Sequence, residues 1–169
     1  MAKGDIQPFE NSGTKNTGAI KMLVQANSNG SSGSAGNILP GEPVTRAAGV
    51  AYVLAAVNNS GTTTLRIAGV AASQSTETAS VDGTVDVIPS APGQLWMMKW
   101  KTVGTDWNTQ ANYNAHIGDR MLIDLTTGNY TMLASDGASQ ACIVQYNDLT
   151  RYPGVVVFTF STVTNSDNV

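Results

Sequence analysis

The stretch VDGTVDVIPSAPGQLWMMKWK, Val81–Lys101, decides how the chain is read. Apolar side chains recur at every second position, first at Val85 and Val87, then at Trp96, Met98 and Trp100. That is the period of a strand with one buried face. Between the two runs lies PSAPG, where proline fixes its own backbone and lacks an N–H for a ladder, so the segment reads as a turn. Asp82 and Asp86 raise the alternative of a catalytic carboxylate pair. On one strand, positions i and i+4 share a face but stand about 13 Å apart, whereas glycosidase carboxylates need roughly 5–9.5 Å. The stretch therefore builds a sheet, with Val81, Val85 and Val87 expected inward and both aspartates on the wet side.

Outward from this stretch the same signals recur. VAYVLAAV, Val50–Val57, and TTLRIAGVA flank the turn-forming NNSG and are expected to pair as a hairpin. RMLIDLTTGNYTML reads as a second hairpin, with Met121, Ile123 and Leu125 alternating before TTGN. ACIVQY and GVVVFTFSTV complete the set, and the last is β-branched enough to be a central strand. TDWNTQANYNAHIGD is the one helix candidate, about two turns, with Asp106 or Asn108 as cap. The expectation is all-β: a small β-sandwich or barrel of about eight short strands with at most one short helix, plus an extended N-terminal arm. Residues 1–37 form the arm. Its polar first 20 residues carry only Ile6 and Phe9 as large apolar anchors, KMLVQA is a possible short strand, and seven of the eleven residues in Asn27–Asn37 are Gly or Ser. Residues 38–169 form the β-rich domain.

Composition narrows the function. The 169 residues are 41% hydrophobic but only 12% charged, about half the usual charged share. A surface of Ser, Thr, Asn and Gln suits a protein packed against others. Net charge is −3 and the nine Lys and Arg are scattered, so nucleic acid is not an expected partner. No apolar stretch reaches the roughly 20 residues that span a bilayer, and the N-terminus has no signal core. The single Cys142 sits among apolar neighbours and reads as a buried thiol.

Catalytic patterns are weak. The one histidine, His116, has Asp119 and Asp124 near it in sequence. Nothing supplies three converging metal ligands, a Gly-x-Ser-x-Gly elbow or a phosphate-binding glycine loop. The expectation is a non-enzyme without cofactor or metal. Trp96, Trp100, Trp107 and Tyr113 admit two uses, a sugar-binding strip or the filling of a core or subunit interface, and the second is preferred.

Three segments in order, LPGEPVTR, IAGVAASQSTETASVDGTVDVIPSAPGQLWMMK and IGDRMLIDLTTGNYTML, resemble the capsid decoration (cement) proteins of tailed bacteriophages over about Ile38–Leu133. The likeness lies in turns and strands and not in a chemical motif. It implies a β-rich homotrimer on the outer capsid surface, assembled in the host cytoplasm, at local threefold axes, with the major capsid protein as partner and head stabilisation as its task. Contacts to the shell or between subunits would then come from Ile6, Phe9 and Lys15 in the arm and from Trp96, Trp100, Trp107 and Tyr113. The alternatives are a carbohydrate- or receptor-binding module of the virion, or a tail or collar subunit.

Overall fold

In the computed structural model of the chain, the residues described are 6–9, 18–26, 37–47, 50–53, 67–91, 93–100, 109–126, 129–133, 142–146 and 148–160. They form eleven strands and one helix. The strands are β1 (Gln7–Pro8), β2 (Ile20–Val24), β3 (Pro43–Ala47), β4 (Val50–Val53), β5 (Ile67–Ala71), β6 (Gly83–Pro89), β7 (Trp96–Lys99), β8 (Arg120–Thr126), β9 (Asn129–Leu133), β10 (Cys142–Tyr146) and β11 (Val155–Phe160). The helix, α1 (Gln110–Ala115), lies between β7 and β8. The fold is all-β with one short helix, as the alternation requires. There are eleven strands where about eight were expected, because the N-terminal segment and PVTRA also pair.

The strands make two rings. β2-β4-β3-β5-β6 closes as a five-stranded barrel, its seam a parallel pairing of Leu23 with Val50. The second sheet runs β1-β7-β11-β10-β8-β9. A parallel bridge from Trp100 to Met132 brings β9 round to the end of β7, rolling that sheet into a second ring. PSAPG is the crossover between the rings, from β6 into β7. Of the hairpin expected across NNSG, residues 54–66 lie outside the described residues. Its described ends, β4 and β5, do not pair with each other, because β3 lies between them and pairs antiparallel with both.

Both rings follow one plan. Taking the five strands of each in chain order, neighbours run first, third, second, fourth, fifth, and the first and third are parallel. The register agrees residue by residue. Between fourth and fifth strands, Val70 faces Ile88 and Ala71 faces Val87, as Ile143 faces Thr159 and Val144 faces Phe158. Between first and fifth, Ile20 faces Val87 and Met22 faces Val85, as Trp96 faces Phe158 and Met98 faces Val156. Before the second strand, Gly41 (φ 83°) and Gly118 (φ 91°) turn the same corner. Gly41 N–H donates to Ala71 O (2.8 Å) and Ala71 N–H to Glu42 O (2.9 Å). Gly118 N–H likewise donates to Val144 O (2.8 Å), and Val144 N–H to Asp119 O (3.0 Å).

Matched inward positions differ in size. The first ring holds Met22, Val24, Val44, Ala71, Val85 and Val87, all buried. The second holds Met98, Trp100, Met121, Val144, Val156 and Phe158, also buried. Between the rings lies β5, buried at every position. A register shift opposite Val44 and Thr45 is a bulge that re-aims the strand. Ala68 and Ala71 join the first core, and Ile67 and Val70 the second. A strand covered on both faces has no position for a polar residue, which accounts for the run IAGVA.

Candidate functional site

Of the sequence's interface candidates, Ile6, Phe9 and Trp96 come together where the N-terminal segment meets β7. Gln7 faces Met97 and Pro8 faces Trp96 in an antiparallel pairing, and Phe9 N–H donates to Leu95 O at 2.9 Å. Proline has no N–H to give a further neighbour, so a two-residue strand containing it suits the outside of a sheet. Ile6 is 2% exposed and belongs to the same buried cluster as Trp96 and Met98. Phe9 is half-buried and meets the Tyr152 ring edge-on at 5.5 Å. On that ring also rests Arg151, its guanidinium 5.2 Å from the centroid. Residues 6–9 thus dock on the chain's own body, and β2, also inside the expected arm of residues 1–37, is a full member of the first ring. An apolar anchor and an uncovered sheet edge next to it are more stable joined than wet.

The aromatics are placed differently from the interface expectation. Trp96 is 0% exposed and packs on Phe160 at 5.5 Å, itself 5.3 Å from Phe158. Trp100 and Tyr113 are buried and meet edge-to-face at 5.5 Å and 90°. Tyr113 is the buried residue of α1, so the helix closes the second ring by inserting one ring. A side chain buried in its own chain has no surface to give a shell, a sugar or another subunit. Ile6, Trp96, Trp100 and Tyr113 are therefore core residues, taken up by the wider second ring. Lys15 and Trp107 lie outside the described residues.

The helix cap also differs. Thr109 is the N-cap, its hydroxyl accepting from Asn112 N–H at 3.2 Å; Asp106 and Asn108 lie outside the described residues. Val85 and Val87 point inward as expected, but Val81 precedes the strand and is 61% exposed. The aspartates are occupied in structure. Asp82 accepts from Ala26 N–H at 2.8 Å, and Asp86 pairs with Lys21 at 3.1 Å.

His116 Nδ1 lies 2.8 Å from Asp119 Oδ2 at the Gly118 corner. At the matched corner Glu42 Oε2 accepts from Leu39 N–H at 3.0 Å. In both rings an acid reaches back three residues to hold the turn, a structural role that needs no chemistry from the imidazole. Asp124 is a β8 residue facing Thr131 of β9. Among the described residues no group of three or more His, Cys, Asp or Glu gathers as a metal ion would require.

Two buried groups, the Cys142 thiol and the Tyr130 phenol, are held neutral. Burial pushes the Cys142 thiol well above its ordinary range. The Tyr130 phenol is raised by burial first, then by the negative charge of Glu42. On the surface, Asp148 Oδ1 accepts from Thr150 N–H (3.0 Å) and Arg151 N–H (2.9 Å), while Tyr146 OH donates to Oδ2 (3.1 Å). The Arg151 backbone bond leads the causes that lower the Asp148 carboxyl, and that carboxylate in turn raises Tyr146. Sequence reasoning missed the buried Glu42, although the signal was present as the acid straight after a turn glycine, repeated at Gly118-Asp119.

Comparison with family models, with curated proteins and with solved structures returned no match.

Proposed function

We propose that the chain is a structural virion protein of the capsid-decoration type. In this reading it binds the outer surface of a tailed-phage shell as a trimer at local threefold axes and holds neighbouring capsid subunits together against internal DNA pressure. The observation that carries the reading is the ordered run of segments from LPGEPVTR to RMLIDLTTGNYTML. An all-β body and a surface poor in charge are in keeping with it. A molecule that bridges subunits loses buried surface if they part. Each contact of standard size, about 1,600 Å², sustains micromolar or tighter binding, and three acting together gain avidity.

Burial of Trp96, Trp100 and Tyr113 moves the adhesive surface elsewhere. Large apolar side chains that are exposed among the described residues are Ile20, Leu23, Val81, Ile117 and Tyr146, and these take the place of the buried aromatics as contact candidates. Trp96 and Trp100 are both buried and offer no strip to a sugar. Mixing the protein with expanded, undecorated shells and sedimenting them is the test. Saturable co-sedimentation with a trimeric free or bound mass supports the proposal; a protein that stays in the supernatant at micromolar concentration contradicts it.

A further inference from the structure

The matched registers of the two rings make one difference stand out. In the second ring, the first strand, β7, is covered along its outer edge at Trp96 and Met97 by Pro8 and Gln7 of β1. The matching positions on β2 are Ile20 and Lys21, since Ile20 faces Val87 as Trp96 faces Phe158. β6 lies on one side of them, and on the other side β4 pairs with β2 at Leu23. Among the described residues no strand pairs with that outer edge at Ile20 or Lys21.

The side chains carry the same difference. Trp96 faces into its ring and is 0% exposed, in one buried cluster with Ile6 of β1. Ile20 has the inward parity of Met22 and Val24, yet it is 45% exposed. A second pair agrees. Two residues before the matched glycines Gly83 and Gly154 stand Val81 and Tyr152. Tyr152 carries the Phe9 ring at 5.5 Å, and Val81 is 61% exposed. Both places that Ile6–Phe9 covers on the second ring are thus open apolar surface on the first.

We propose that the outer edge of β2 at Ala19–Lys21 is a strand-acceptor site. Its occupant is an extended, weakly charged segment of another polypeptide, added antiparallel as Ile6–Phe9 is added to β7. The segment places an aliphatic side chain beside Ile20 and an aromatic one toward Val81. Ala19 O, matching Leu95 O, accepts one of its N–H groups. Main-chain bonds supply the affinity and the two apolar seats the selectivity, as in strand addition generally. Ile6–Phe9 is used on its own chain's β7, so the β2 edge is assigned to a matching segment of a partner. The site shares Ile20 and Val81 with the candidate shell contacts, but its peptide test does not depend on a role at a capsid.

The test titrates ¹⁵N-labelled full-length protein with a capped peptide of the sequence of residues 4–10, which contains Ile6–Phe9, the segment that covers the matching edge. Saturable amide shifts and slowed hydrogen exchange at Ala19–Met22 are expected. Ile20→Asp, at an exposed position, should weaken them at least about tenfold while the melting temperature stays near that of the parent. Replacing the isoleucine of the peptide by aspartate should do the same. Absence of shifts at Ala19–Met22 with millimolar peptide, including the case where only Trp96 and Met97 respond because β1 is displaced, would overturn the proposal.

Discussion

Gly83 and Gly154 hold the same place in the two rings, one facing Val24 of β2 and the other accepting from Trp100 N–H at 3.1 Å. The reasons for glycine differ. A Cβ on Gly83 would stand 2.1 Å from the Glu77 backbone nitrogen, whereas Gly154 has open space but a φ of +74°.

Gly83→Ala should therefore lose about 3 kcal/mol of stability, since backbone has to move to admit one methyl group. Gly154→Ala should lose only about 1 kcal/mol, the cost of holding an L-residue in a left-handed conformation. Denaturant unfolding of the two variants checks the order. Equal losses would mean that the Glu77 backbone yields easily.

Trp100→Ala should cost about 3–5 kcal/mol, the usual range for emptying an aromatic site in a core. The loss should appear in dilute solution and be independent of protein concentration. An interface tryptophan would instead leave the dilute chain's melting temperature unchanged and alter only its association.

Ile6→Ala should cost about 2 kcal/mol and loosen the edge it covers first. In hydrogen exchange, the amides of Gln7 and Phe9 should lose protection before those of β10 and β11. Unchanged stability would show that the segment rests on the body without supporting it.

Stability should fall in alkali. Cys142 and Tyr130 have their folded-state values raised, by burial first in each case. Unfolded chains therefore release these protons at lower pH than folded ones do. The stabilisation is complete below the ordinary thiol and phenol values, about 9 and 10, and is lost as pH rises above them. A melting-temperature series from pH 7 to 11 tests this, with Cys142→Ala flattening the first part of the fall. In the native protein at pH 8 the thiol should resist a disulfide reagent until the chain unfolds.

Strand character was legible where one face is buried. Val85 and Val87, Trp96 and Met98, and Met121 and Ile123 announced their parity because alternation survives any sheet order. Pairing was not legible. VAYV and IAGVA look like hairpin partners, yet β3 separates them, because a strand such as PVTRA carries too little alternation to be noticed.

The doubled plan was hidden for a related reason. Of the matched residues, Met22 and Met98, Gly41 and Gly118, Gly83 and Gly154, and Val85 and Val156 are identical. Most others keep only their burial, Val24 becoming Trp100 and Val87 becoming Phe158. Backbone registers tolerate such exchanges when the ring widens with them, so geometry persists after sequence likeness has gone. Aromatic residue type alone also could not separate core from interface, since both environments favour it. Only burial distinguishes them, and it placed Trp96, Trp100 and Tyr113 inside.

The role on a shell is tested most directly by heating DNA-filled particles with and without bound protein and recording the temperature at which DNA becomes accessible to a dye. Decorated particles should release DNA several degrees later, with the gain lost when the protein is stripped and restored when it is added back. Identical release curves at full occupancy, or no detectable occupancy of the outer surface, would contradict the account.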